Sequence, residues 1–318
     1  MATIKDIADA AGVSTMTVSR YFNEPGKLKK ETYDKIHKIV EQSGYKPNMV
    51  ARLLAIKKTH IISVYVADMI DALHPFTLQA IAGIGEALGE KGYSMHITKE
   101  VDEELVCDGI ISMGLETKKE KKLLEISKDK AVLFFGNSSY EHNSVEVDNY
   151  KGEYEATEYL ISRGYEKIGH IGVEASQGYS EDRYWGYRDC LEAHGLKIPE
   201  GGVERVHNDE PYGYEAAKRM FAKNTFDGLV CASDSLALGA MRYAKEAGID
   251  VPDELGVIGF DGLGYEKLVT PNITTMMQPV YAAGRKTAEI MIDLLENKKM
   301  GKTELFIPPV LQVNGTTK

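Results

Sequence analysis

Arg20 carries the most directed chemistry in the first third of this 318-residue chain. A guanidinium offers a rigid fork of donors that fits O6 and N7 of guanine in a major groove. It sits in the stretch Thr15-Met16-Thr17-Val18-Ser19-Arg20-Tyr21-Phe22. At helical spacing Val18, Tyr21 and Phe22 turn inward, and Thr15, Met16, Ser19 and Arg20 project outward. Ser14 supplies an N-cap for that helix. Before it, Ile4, Ile7, Ala8 and Ala11 form one apolar face, and Thr3 with Asp6 makes a weak capping box. Gly12 ends this first helix, because glycine takes the left-handed conformation a sharp exit needs. Two short helices joined through such a turn, the second one exposed, form a helix-turn-helix.

Charge is distributed to suit a phosphate-bearing partner. The whole chain carries -10, which by itself argues against nucleic acid. Residues 1–58 nevertheless hold eleven Lys and Arg against six Asp and Glu, a net of +5, and the remainder holds 27 against 42. The protein therefore has a basic head on an acidic body. A hydrophobic fraction of 43% and a charged fraction of 27% are those of an ordinary globular protein, long enough for two or three compact units. Cys107, Cys190 and Cys231 are scattered and suggest neither a disulfide framework nor a metal pair. With no signal region and no apolar run of about 18 residues, no membrane span is expected, and the location expected is cytoplasmic.

A third helix is predicted from about Lys30 to Ser43, with Ile36, Ile39 and Val40 inside and Gly44 as its stop. Pro47 breaks the chain, and Asn48 can cap a helix from Met49 to Ala55, too short to be stable alone. After Thr59 apolar strands alternate with helical stretches. Ile61–Val66, Gly109–Ser112 and Ala131–Phe135 form one series; Ile168–Gly172, Gly228–Ala232 and Leu255–Phe260 form a second. Two such series imply two parallel-sheet lobes with helices on both faces, and ligands between them at the strand C-termini. About ten residues separate the strand near Ser94–Thr98 from Asp108-Gly109, close to the lower limit for a parallel crossover.

The segments Gly12-Val13-Ser14, Thr17-Val18-Ser19-Arg20, Asn23, Gly44-Tyr45-Lys46-Pro47-Asn48, Val50-Ala51-Arg52 and Leu54-Ala55 together resemble the headpiece of the lactose-repressor (LacI/GalR) family. That resemblance implies a small all-α helix-turn-helix headpiece at 1–46 and a hinge helix and linker at 47–59. The rest, 60–318, is implied to be an α/β core of two doubly wound, periplasmic-binding-protein-like lobes. The first lobe is expected at about 60–163 and 280–307, the second at about 164–279 and 308–318. By resemblance Thr15, Met16 and Arg20 read bases, while Ser14, Thr17, Asn23 and Lys27 contact the DNA backbone. Asn48, Ala51 and Leu54 match the minor-groove hinge, Leu54 as an apolar wedge between base steps. A short crossover after Thr98 departs from the family's usual helix there.

The same resemblance implies an effector cleft. Asp148-Asn149 with Gly152, Arg183 with Gly186, and Gly259-Phe260-Asp261 match family motifs, and Asp234 matches a position that is often structural. Carboxylates accept from sugar hydroxyls and a guanidinium donates in a fixed fork, which suits a polyol. Phe76 or Trp185 would stack on the ring, and His74 stands where the family more often has Asn. Enzyme signatures are missing: Gly83-Ile84-Gly85 with Gly89 looks like a dinucleotide fingerprint but falls inside a helix. Neither cofactor nor metal is expected. The expected protein is a homodimeric repressor on a near-palindromic duplex DNA operator, released or held by a small sugar-like effector. The lack of a heptad tail after Pro309 favours a dimer over a tail-linked tetramer. The alternative is a global regulator gated by a phosphorylated carrier protein, for which Tyr281 and Arg285 are in place but Glu289 stands where an arginine is expected.

Overall fold

The structure, a computed structural model, describes residues 2–23, 25–45, 58–67, 73–100, 106–115, 117–127, 129–136, 142–175, 178–296 and 302–318. They fall into two compact units, Met1–Thr59 and His60–Lys318. In the first unit α1 (Ile4–Ala11), α2 (Thr15–Asn23) and α3 (Lys30–Ser43) follow the caps. Thr3 and Asp6 exchange both bonds of the capping box, and Gly12 leaves α1 at φ 61°. Ser14 Oγ accepts from the Thr17 amide at 3.2 Å, and Gly44 ends α3 at φ 61°. Ile7, Ala8, Ala11, Val18, Tyr21 and Ile36 are buried together as the core of this unit.

The second unit contains two six-stranded sheets. The first runs β11-β5-β4-β3-β1-β2, all parallel, from β1 (Ile61–Val66), β2 (Ser94–Thr98), β3 (Gly109–Met113), β4 (Ala131–Phe135), β5 (Ser144–Val147) and β11 (Glu304–Ile307). Helices α4 (Pro75–Glu90) and α5 (Thr117–Ile126) follow β1 and β3. The second sheet runs β12-β10-β9-β8-β6-β7, from β6 (Ile168–Val173), β7 (Val203–Val206), β8 (Gly228–Cys231), β9 (Gly256–Asp261), β10 (Thr274–Met277) and β12 (Val310–Gln312). Only β12 in it is antiparallel, against β10. Its helices are α6 (Asn149–Ser162), α7 (Gly178–Ala193), α8 (Glu210–Phe221) and α9 (Asp234–Ala247), while α10 (Val280–Glu296) returns to the first sheet.

The chain crosses between lobes three times, after β5, after β10 and after β11. Each crossing leaves the C-terminal end of a strand, so those ends are where the two lobes meet. One expected boundary moves. Residues 149–162 do not belong to the first lobe: Ala156 and Leu160 of α6 pack with Ile168, Val230, Ile258 and Phe260 of the second. Gly186 of α7 is why, since it lets the two helices touch backbone to backbone where a Cβ would strike the Tyr150 carbonyl. The first crossing therefore lies at Val147–Asn149, and the lobe changes before the helix rather than after it.

Ten residues, 99–108, separate β2 from β3, and those described form no helix. Ile97 of β2 is 48% exposed. The glycines of the dinucleotide-like run are used for packing. A Cβ on Gly83 would strike the Tyr281 carbonyl, and one on Gly284 would lie 2.5 Å from the Ala80 carbonyl, so α4 and α10 touch through both. No helix among the described residues is long and apolar enough to cross a membrane.

Candidate functional site

Burial of Val18 and Tyr21 fixes which face of α2 looks outward. Thr15, Met16 and Arg20 are exposed on it, Met16 at 65%, and bring a hydroxyl, a thioether and a guanidinium to one surface. Ser14 and Thr17 flank them and bond to each other at 2.9 Å, so they share their capacity between the helix cap and any phosphate. Asn23 ends α2, and Lys27 ends the 3₁₀ turn Pro25–Lys27 with an exposed side chain. Asn48, Ala51 and Leu54 lie outside the described residues.

In the second unit the strand ends gather around Arg183, which is only 5% exposed. Placed in the first turns of α7, its Nε donates to Asn149 Oδ1 at 2.9 Å and its Nη1 to the Ala232 carbonyl at 2.5 Å. Nη1 also faces Asp261 Oδ1 at 3.8 Å, and the guanidinium lies 3.7 Å over the Phe260 ring. Asn149 in turn donates to Glu146 Oε1 at 3.2 Å and to the Val147 carbonyl. Asp148 caps α6 by accepting from the Lys151 amide at 3.0 Å and keeps partial exposure. One cation thus ties four loop ends together.

Charge crowds this site with acid. Burial, then Asp182, pushes the Glu146 carboxyl up to about 7. Burial and then Asp148 raise Asp182. Asp261 is also raised, by burial, with Arg183 opposing; Gln278 donates to its Oδ1 at 2.6 Å. Its backbone sits at φ 126°, a conformation that costs a non-glycine residue about 1–3 kcal/mol. From the first lobe, His74 caps α4 by accepting from the Phe76 amide at 3.3 Å, and its ring lies 6.4 Å from that of Tyr265. Phe76 packs 5.8 Å from Phe135, at the end of β4. This is an arrangement of acceptors, one engaged cation and aromatic walls. Such acceptors are chemically suited to hydroxyls, and among the described residues of the site there is no nucleophile–base pair.

Comparison with known proteins decides what the two units are. Residues 3–48 match bacterial regulatory proteins of the lacI family, and 157–317 match a periplasmic binding protein-like domain. Catabolite control protein A of Staphylococcus aureus is 30% identical over 330 residues, covering 99% of both chains. The chain belongs to the lacI family. A crystal structure of the lac repressor dimer bound to operator and the anti-inducer ONPF superposes with a TM-score of 0.80 at 24% identity, covering 99% of both chains. The CelR–cellobiose complex gives 0.74 at 23%, over 99% of this chain and 100% of that one. This lacI-family protein is a DNA-binding transcriptional regulator and not an enzyme.

The regulator does not bring all the expected residues together. Trp185 follows Arg183 by two residues, about 200° around a helix, and so points away from it. It is 38% exposed, with the Arg188 guanidinium 3.9 Å over its ring, and is not placed to stack on a ligand beside Arg183. Asp234 is fully buried and spent: it accepts from Thr275 Oγ1 at 2.6 Å and from the Gly262 amide at 2.7 Å, clamping β10 to the turn after Asp261. Asn149, Glu146, Asp182, Gln278 and Tyr179, whose ring lies 5.2 Å from the Arg183 guanidinium, belong to the site and are not among the expected residues. Asn149 stood inside a recognisable motif, whereas Glu146 gives no signal beyond its place in an apolar strand.

Proposed function

We propose that this regulator is a homodimeric repressor whose grip on a near-palindromic operator is set by an uncharged, sugar-like effector bound between its lobes. The buried Arg183 guanidinium carries the reading. It joins the loop after β5 to the ends of β8 and β9, and the described ionisable groups around it, Glu146, Asp148, Asp182 and Asp261, are acceptors that suit hydroxyls rather than an anion. The cellobiose seen with one structural relative and the operator seen with another support the pairing of a sugar site with a DNA site. Asp148, Asp261, His74 and Phe76 are the contacts expected to face the effector, with Asn149 and Arg183 holding them in place. Thr15, Met16 and Arg20 read the half-site, and Asn48, Ala51 and Leu54 enter the minor groove between the half-sites.

Gating by a phosphorylated carrier fits less well. Arg285 is held by Glu86 at 2.9 Å and Glu90 at 3.0 Å, and Tyr281 donates to Glu86, so the face is already neutralised by its own acids. A thermal-shift screen against neutral mono- and disaccharides tests the proposal. Ligand at 100 times its Kd stabilises by about 2.7 kcal/mol. A hit should change operator affinity, and operator should change its affinity by the same factor. Absence of any sugar hit, together with capture of the phosphorylated carrier, would overturn it.

A further inference from the structure

The DNA-reading surface depends on how α2 is rotated about its own axis, and apolar burial alone sets rotation loosely because it has no direction. The headpiece adds a directed contact. Tyr21, the residue after Arg20, is 9% exposed, and its hydroxyl meets His37 Nδ1 of α3 at 2.6 Å. On the far side of that imidazole, Nε2 faces Glu41 Oε1 at 3.6 Å. With the ring proton on Nε2, toward that carboxylate, Nδ1 accepts from the Tyr21 hydroxyl. The His37 ring stacks on Tyr33 at 5.8 Å and 14°, and Tyr33 lies 4.9 Å from Tyr21. Phe22, 4.8 Å from Tyr21, reaches Tyr45 at 5.8 Å, so aromatic rings run from α3 through α2 to the end of the headpiece.

We infer that His37, held by Tyr33 and Glu41, is a positioning residue for operator reading: through Tyr21 it sets the rotation of α2 and hence the aim of Arg20. A side chain about 6 Å from a helix axis moves about 1 Å for a 10° turn. That is enough to spoil a bidentate contact, whose productive geometry spans about 0.5 Å. Contacts to phosphate tolerate such a shift, so the lock acts on discrimination and not on general DNA affinity. This inference rests on the DNA-binding role of the headpiece and is independent of the effector.

The test uses the full chain, a duplex selected from a random pool by the unmodified protein, and a scrambled duplex of equal length. Tyr21→Phe keeps the ring and removes the hydroxyl. It is expected to weaken the selected duplex about fivefold, the worth of one hydrogen bond, and to leave the scrambled duplex unchanged. His37→Ala should do the same, the double variant should lose no more than either single one, and His37→Asn, which returns an acceptor, should recover most of the loss. Equal weakening on both duplexes, additive losses, no rescue, or a lowered headpiece melting temperature with unchanged discrimination would each overturn the inference. Should His37→Ala fail to fold, Tyr21→Phe and His37→Asn decide alone.

Discussion

Glu146→Gln is the perturbation whose sign is least expected for an acid in a cleft. Glu146 is 8% exposed, one of its oxygens accepts from Asn149, and Asp182 and Asp148 add negative charge around it. Burial and these neighbours lift its carboxyl from the ordinary 4.5 to about 7. Between those two values the folded state holds a proton that the unfolded chain has lost, so stability falls as pH rises. The slope is about 1.4 kcal/mol per pH unit between those two values and vanishes below the lower and above the upper one, so the stability is fully present in acid and lost by the time pH passes the folded value. Glutamine keeps the acceptor for Asn149 and carries no titrating proton. Between pH 5.5 and pH 8, about 1.5 pH units of that interval, the variant should gain roughly 2 kcal/mol over the unmodified protein. Urea melts of the 60–318 unit, followed by its own fluorescence transition, measure this. A difference that is constant with pH, or that shrinks as pH rises, would refute the account of Glu146.

Three further outcomes follow from the same geometry. Arg20→Ala should cost about 1–3 kcal/mol of discrimination at one base pair of the half-site while scrambled DNA binds nearly as before, measured by anisotropy on single-substituted duplexes. Gly83→Ala should destabilise the 60–318 unit by about 1–3 kcal/mol in urea, because a Cβ there meets the Tyr281 backbone; an unchanged midpoint would mean α4 and α10 can part at no cost. His170→Ala should cost about 3–5 kcal/mol, since it strips the 2.9 Å partner from Glu153 where both side chains are fully buried. A smaller loss in calorimetry would indicate that water already reaches Glu153.

What could be read without coordinates was local. Thr3 with Asp6, Gly12 and Gly44 mark helix ends by their own chemistry, so both ends of α1 and the end of α3 lie where those residues stand. The buried strands β1, β3 and β4 are continuous apolar runs, and their type is plain. β7, β11 and β12 are three or four residues long and only partly buried, and no periodicity survives at that length. The site was legible as motifs but not as directions. Nothing in the order Arg183-Tyr184-Trp185 says that a helix sends the last away from the first. Nor does Ala232-Ser233-Asp234 reveal that its carboxylate is consumed by Thr275 and Gly262. The pairing of Tyr21 with His37 joins residues sixteen apart and depends on helix packing that no local pattern encodes.

The arrangement around Arg183 also bounds how an effector can act. To carry a two-state equilibrium from 1:99 to 99:1 takes about 5.5 kcal/mol of differential binding, and a symmetric dimer divides that over two sites. Each effector must then supply about 2.7 kcal/mol more in one lobe arrangement than in the other. Hydrogen bonds to charged groups are worth about 1.5–3 kcal/mol, so one or two that exist in only one arrangement suffice. In the second lobe Arg183 donates to Asn149 and pairs with Asp261, Gln278 donates to Asp261, and Asp148 accepts from the Lys151 amide, so each is held by contacts made without the effector. His74 and Phe76 come from the first lobe: the His74 ring lies 6.4 Å from that of Tyr265, Phe76 packs on the first lobe's own core, which Leu263 also touches, and among the described residues neither side chain has a hydrogen bond to the second lobe. On the proposed function, the differential contacts are therefore expected from the first lobe. Substitutions at His74 should alter how strongly effector and operator binding are coupled, while substitutions at Asp148 should alter how tightly the effector binds in either arrangement. Measuring effector affinity with and without operator separates the two. Equal coupling loss at both positions would mean the second lobe is not the fixed partner.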